Sequence, residues 1–315
     1  MPQGVILCTA SYDKTIRLWE PTTNVCSHTI NYTDPQVNAL CISHNKHLLA
    51  AASHNHIRLF QLATSDPPRG RTMKSRHTAN ILAIGFQQED KWMYSAGEDG
   101  TVRVWDLRTF TCQREYSVSS NNHVNSVVLH PNQVELIAGD QKGYLRIWDL
   151  TEDKCAYKIC VCKGTPIRSV DVSQDGRTIA VANQKGNVYI YHYKCYEETE
   201  NNGVIRLIYQ FNAHFNHYIL KCKIAPNCTQ LATCSSDSTV RLWDLSSQCR
   251  LQKTLNGHKK WVWDCTYNSD SSYLVTASSD LTAKLWDCNR GEYIKEYKGH
   301  AKAVVCCALH DTPVL

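Results

Sequence analysis

Seven short segments of the chain alternate apolar and polar residues, the period of a strand buried on one side. They are TIRLWE (15–20), HIRLFQ (56–61), TVRVWD (101–106), YLRIWD (144–149), NVYIYH (187–192), TVRLWD (239–244) and TAKLWD (282–287). A small-residue strand precedes each: VILCTAS (5–11), LLAAAS (48–53), WMYSAG (92–97), ELIAGD (135–140), TIAVAN (178–183), QLATCS (230–235) and YLVTAS (273–278). Further upstream lies another apolar run, such as VNALCIS (37–43), VNSVVLH (124–130) or VWDCTYN (262–268). A more polar strand follows, as in TCQREYSV (111–118) and CRLQKTL (249–255). Turn-forming stretches such as HPNQ (130–133) and SQDG (173–176) separate these runs, so each unit predicts four strands.

The alternating segments carry the aromatic anchors Trp19, Phe60, Trp105, Trp148, Tyr191, Trp243 and Trp286, spaced 41 to 52 residues apart. A repeat of this length is the mark of a blade or solenoid array. Seven such units resemble the WD-repeat family, and the resemblance implies an all-β, seven-bladed β-propeller over 1–315 as a single domain. The chain starts at a small-residue strand, and AVVCCALH (303–310) supplies the missing first strand at the other end. That strand is expected to close the ring beside residues 5–30, removing free sheet edges.

Four units share a polar set at fixed offsets. The Asp six residues before Trp is Asp13, Asp99, Asp237 or Asp280, and four residues earlier stands Thr9, Ser95, Thr233 or Thr276. A histidine precedes each first strand: His300 for the closing blade, then His77, His214 and His258. These match the network of WD repeats in which Trp19, Trp105, Trp243 and Trp286 donate to the hydroxyl and the imidazole bridges hydroxyl and carboxylate. Units two, four and five hold His54, Lys142 and Lys185 at the Asp position, and Ala50, Ala138 and Val181 at the hydroxyl. Thr33, Ser120 and Lys163 take their His positions, so the set is expected to vanish whole, as the cost of half-satisfied buried groups requires. A Ser/Thr–His–Asp set also invites a hydrolase reading. Fourfold repetition with a structural Trp and the lack of G-x-S-x-G argue against an enzyme. His54 with His56, and His214 with His217, lack further ligands at zinc spacings, so no metal or other cofactor is expected.

Composition narrows the class. Net charge is +5 over 315 residues, too mild for a dedicated nucleic-acid binder, and no apolar run reaches membrane-spanning length. The amino terminus MPQGVILCTAS lacks a secretory pattern, so a cytoplasmic location is expected. Sixteen Cys in a long chain with no C-x-x-C read as small apolar fillers (Cys8, Cys41, Cys222, Cys234, Cys265, Cys306 and Cys307 fall on strands) rather than as disulfides or zinc ligands.

Strand parity puts the Asp turns and the connections between blades at one end, the top. The acidic EETE insertion (197–200) and 64–71 belong at the bottom. Beside the Asp turns stand Tyr12, Ser53, Glu98, Gln141, Gln184, Ser236 and Ser279. Gln36 and Asn38, Asn80, His123 and Asn125, Arg168, Tyr218, and Trp261 with Trp263 stand where the first strands begin. The two Trp lie outside the anchor positions, and paired rim aromatics mark interfaces, so this face is the expected partner-binding surface.

The strings WMYSAGEDGTVRVWDLR (92–108), HPNQVELIAGDQKG (130–143), LATCSSD (231–237), YLVTASSD (273–280) and KEYKGHAKAVVC (295–306) carry a closer likeness. They resemble the family of small WD-repeat subunits of the TOR kinase complexes. The likeness spans nearly the whole chain and is weakest around 62–80, 154–165 and 194–212. It implies a monomeric, non-enzymatic subunit of both TOR assemblies (TORC1 and TORC2). Such a subunit docks on the carboxy-terminal lobe of the TOR kinase domain, supports its active site, and reaches endomembranes only through the complex. The alternative is a WD-repeat adaptor of another assembly, either a G-protein-β-like subunit or a ubiquitin-ligase receptor. The first typically has an amino-terminal helix and the second a pocket of several Arg, whereas Arg168 is the one Arg among the top-face positions.

Overall fold

The alternating and small-residue runs pair into seven antiparallel sheets of four strands each in a computed structural model of the chain. It describes residues 4–21, 23–32, 36–62, 68, 70–73, 76–119, 122–193 and 205–311. Among these residues there is no helix. Blade one combines Val304–His310, Ile6–Ser11, Thr15–Trp19 and Cys26–Asn31, in that order from the axis outward. Cys8 pairs with Ala308 and Thr9 with Cys307, the closure that the unmatched ends predict. Blades two to seven follow in chain order over 39–73, 81–117, 124–160, 167–212, 219–256 and 262–297. Each innermost strand packs against that of the next blade, and the cycle closes. The chain is a seven-bladed β-propeller.

Burial grades outward. Ile6–Ser11 is buried at every position, while Lys154–Cys160 at the rim of blade four is mostly exposed. The cores therefore lie between sheets: Leu7, Trp19, Val275, Ala277, Tyr297 and Val304 join blades one and seven. Burying each large apolar side chain contributes roughly 1.5–3 kcal/mol, which drives sheet stacking more than any one polar contact. The small second strands permit close stacking; a Cβ on Gly139 would sit 2.3 Å from the Ile167 side chain. The fifteen Cys of the described residues are free thiols; six of the eight buried ones lie on innermost or second strands, and Cys249 and Cys288 lie in the turns that follow the third strands of blades six and seven. Cys41 is only half-buried: it packs against the core between blades two and three and also lines the channel. Burial pushes the Cys8, Cys222 and Cys288 thiols up to about 12, which keeps them protonated.

The innermost strands share one irregularity. In blades three to seven the register with the second strand slips near the top, between Ile81/Ala83, Val124/Ser126, Ile167/Ser169, Ile219/Lys221 and Val262/Asp264. Each slip leaves one extra residue: Leu82, Asn125, Arg168, Leu220 or Trp263. A bulge of this kind re-aims the side chain it carries. All five line the axial channel.

Candidate partner-binding face

Four complete polar networks brace the top. In blade three the Trp105 indole donates to Ser95 Oγ at 2.8 Å. His77 Nε2 lies 2.8 Å from that hydroxyl, and His77 Nδ1 lies 2.8 Å from Asp99 Oδ2. A carboxylate only accepts, so Nδ1–H donates to Asp99 and the Ser95 hydroxyl donates to Nε2. Trp19–Thr9–His300–Asp13, Trp243–Thr233–His214–Asp237 and Trp286–Thr276–His258–Asp280 repeat the arrangement with all distances between 2.7 and 3.0 Å. Thr9, Ser95, Thr233 and Thr276 are fully buried and already engaged, so none of these four hydroxyls is an accessible nucleophile.

A further hydroxyl completes each set. Thr15, Thr101, Thr239 and Thr282 donate to the same Asp at 2.6–2.8 Å. Its signal was present as Asp-x-Thr in SYDKT, GEDGT, SSDST and SSDLT, and the sequence reading passed over it. Burial works against ionisation of Asp99, but hydrogen bonding and charge from His77, with the Thr101 contacts, outweigh it and hold the carboxyl down at about 2. At Asp13 burial is likewise outweighed by Thr15, the Ala301 amide and His300, again giving about 2. Asp237 and Asp280 lie well below the ordinary carboxylate range; burial opposes this, and His214 and His258 respectively lead the groups that outweigh it. His300 is itself lowered, because burial outweighs the attraction of Asp13.

Among the described residues blades four and five show none of the network bonds at the positions named in the sequence, but their turns are capped by other groups. In blade four the carboxylate has moved two residues back, to Asp140, which accepts from Asn122 Nδ2 at 2.8 Å and Arg146 Nε at 3.3 Å. Asp140 also accepts the Lys142 and Tyr144 amides. In blade five Asn183 accepts the Lys185 and Asn187 amides. A buried turn still needs acceptors for its N–H groups, so where the set is absent Asp140 and Asn183 take over the turn amides. Gly143 makes this closure possible: at φ +87 its position of a Cβ would fall 1.9 Å from the Cys162 carbonyl oxygen. The His-equivalent positions Thr33 and Ser120, and the 194–203 insertion, lie outside the described residues, as do 64–67 and 69 of the 64–71 segment.

Of the top-face residues, Tyr12, Gln36, Asn38, Asn80, Glu98, Asn125, Arg168 and Trp263 line the mouth and wall of one axial channel of about 660 Å³. Asn80 Nδ2 donates to Glu98 Oε2 and Asn125 Nδ2 to Gln141 Oε1. His54, read as a solvated turn residue, lies 3.0 Å from Asn80 Oδ1 and ties blade two to blade three. Trp263 is half-buried in the channel wall, where its indole donates to Ser279 Oγ at 2.6 Å. Trp261 stands outside it, 41% exposed, with ring centroids 5.6 Å apart. Tyr218 meets Trp261 edge-on at 6.1 Å, its own amide donating to Ser236 Oγ. The structure thus gathers Tyr218, Trp261 and Trp263 into one aromatic cluster. His123, Ser236 and Ser279 are not among the residues lining this channel; the His123 carbonyl accepts the Gln141 amide.

Phe215, 75% exposed, and Leu281 complete the large exposed hydrophobics of the top end among the described residues, and both were missed in sequence. With Tyr218 and Trp261 they all belong to blades six and seven or the connections leading into them. Phe215 sits inside HFNHY (214–218), where the flanking polar residues hid it; Leu281 occupies a positive-φ turn position that points outward.

Residues 36–313 match the family described as the IFT122 first beta-propeller, and residues 1–20 match the WD domain, G-beta repeat. Similarity over full length is more specific. The chain is 48% identical over 309 residues to the Arabidopsis thaliana protein named target of rapamycin complex subunit LST8-1, covering 98% of this chain and 99% of that one. It is 42% identical over 308 residues to target of rapamycin complex subunit LST8 of Saccharomyces cerevisiae, covering 98% and 99%. The Mus musculus protein of that name is 39% identical over 323 residues, covering 98% and 95%.

Proposed function

Given that the chain belongs to the LST8 family of WD-repeat proteins, we propose that it is a non-catalytic subunit of TOR kinase complexes. In this reading its top face docks on the carboxy-terminal lobe of the kinase domain and steadies the active site and the assembly. The observation that carries the docking surface is the aromatic cluster of Tyr218, Trp261 and Trp263, with exposed Phe215 in the connection that leads to Tyr218. Exposed Trp and Tyr at a rim supply large contact area for little lost side-chain freedom. The four networks hold the turns beneath that face, so little ordering remains to be done on binding. A rigid ring of this kind acts only through differential binding: it stabilises whichever kinase conformation fits it better. The propeller works as a monomer, in the cytoplasm, and meets membranes only as part of the complex.

Trp261→Ala removes an exposed ring and spares the fold. Trp261→Ala with Trp263→Ala removes the centre of the cluster and is expected to lower co-purification of the kinase by tenfold or more, since buried aromatic anchors each contribute about 2 kcal/mol. Circular dichroism should still report cooperative melting. Undiminished kinase capture by the folded double variant would overturn the assignment of this face.

A further inference from the structure

Next to the aromatic cluster, blades four and five present a different chemistry. Lys142 and Lys185 occupy the turn positions that Asp holds in the network blades, and Lys163 lies in the connection between the two. All three are exposed, and among the described residues no carboxylate lies within 4 Å of any of them. The one acid in the upper part of these blades is Asp140, which is 1% exposed and taken up by Asn122 and Arg146.

Arg168 stands at the centre of this region. The bulge between Ile167 and Ser169 turns it into the channel mouth, where Nη2 donates to Gln184 Oε1 at 3.1 Å. Its Nε is sealed from solvent with no hydrogen-bond partner. The other channel cations are paired: Lys221 lies 3.4 Å from Asp264 Oδ1 and Lys223 lies 2.6 Å from Asp171 Oδ1. Arg168 has no such carboxylate among the described residues. A half-buried guanidinium facing no anion is costly, and burial lowers its pKa accordingly. Gln184 also lines a groove of about 690 Å³ running from Lys185 past His217 to Tyr218. The cationic mouth and the aromatic cluster are therefore continuous.

We propose that this groove and channel mouth seat an acidic segment of the protein partner, with one carboxylate against the Arg168 guanidinium and further acidic residues along Lys142, Lys163 and Lys185. The occupant is fixed by charge: the exposed ionic groups at the top turns of blades four and five are Lys142, Lys163 and Lys185, and the half-buried Arg168 at the channel mouth has no carboxylate partner among the described residues, the Glu98 of that mouth being held by Asn80 on blade three. Planar, multidentate carboxylate recognition also suits a guanidinium better than an ammonium. The site rests on the reading that the top face docks a protein, and it adds what the partner must bring.

The test uses a fluorescein-labelled octaglutamate peptide and the purified full chain, read by anisotropy at low and moderate salt. Saturable binding is expected, weakened about tenfold by Arg168→Met and partly restored by Arg168→Lys. Lys142→Ala with Lys185→Ala should weaken it about threefold, whereas Lys259→Ala with Lys260→Ala on blade seven should leave it unchanged. Absence of binding, or equal binding by the wild-type chain and Arg168→Met, overturns the site. So does equal weakening by the blade-seven variant, which would mean diffuse charge. The measurement needs no kinase. A chain that binds the peptide through Arg168 yet captures no kinase sinks the proposed function and keeps the site; capture of kinase with peptide binding indifferent to Arg168 does the reverse.

Discussion

Blades six and seven share a strand plan with blades four and five but close their tops by different means. In the first pair a buried imidazole spans from the connection to the turn Asp, so His214 and His258 join each second strand to the connection leading into its own blade. In the second pair the turn amides fold onto Asp140 or Asn183, two residues earlier, and the connection's amides bond the Gly143 or Gly186 carbonyl. The first solution ties up an acidic residue at every turn. The second leaves the turn position free, and Lys142 and Lys185 fill it. Local closure chemistry thus sets the charge of the face above it.

The comparison can be broken most severely at His214. His214→Leu should strand Asp237 and Thr233 in a buried site and lower stability by about 3 kcal/mol. The equivalent change in blade five, Lys163→Ala, should stay within about 0.5 kcal/mol, since that side chain is exposed. Denaturant midpoints compare the two; equal shifts would show that the network is dispensable. Next in size is Asp140→Ala, expected to lose about 2 kcal/mol because Asn122, Arg146 and two amides lose their acceptor. A neutral Asp140→Ala would restore the simpler view that blade four merely lacks a network.

Acid should sharpen the contrast further. Asp13 and Asp99 titrate near 2 in the folded chain, against about 3.9 when unfolded, so the unfolded state binds more protons between these values. Their contribution is whole above about pH 5 and is lost as pH falls from about 4 towards 2, up to about 2 kcal/mol each. His300 acts higher up: its lowered pKa means the unfolded chain takes the proton first, so stability already declines as pH drops below about 6.5. Asp99→Asn should lower the melting temperature at pH 7 and flatten its fall below pH 4. An unchanged acid limb in that variant would remove blade three from the account.

Much of this was legible from spacing. Asp, hydroxyl and Trp sit at constant offsets within one hairpin, so a seven-unit repeat exposes them, and the networks of blades one, three, six and seven follow residue by residue. Closure of the ring was also readable, because 303–310 supplies the strand that residues 5–30 lack. Asp140 escaped because its substitution is not positional: the acceptor shifts by two residues, and only the course of the Lys142 and Tyr144 amides shows what it serves. Phe215 escaped because exposure of a loop aromatic is a property of its surroundings.

The sequence by itself determined the strand count, the seven-blade period and the members of the networks, since each is repeated in kind at fixed offsets, even where ring closure brings His300 to Thr9 and Asp13 from the far end of the chain. Tertiary structure alone decided which side chains meet at the axis. Asn125, Arg168 and Trp263 come from blades up to 138 residues apart, and each reaches the channel through a one-residue bulge in the innermost strand. The physical reason is that strand parity would send such residues into the sheet faces; the slipped register re-aims them, and only the packed ring sets them around one channel.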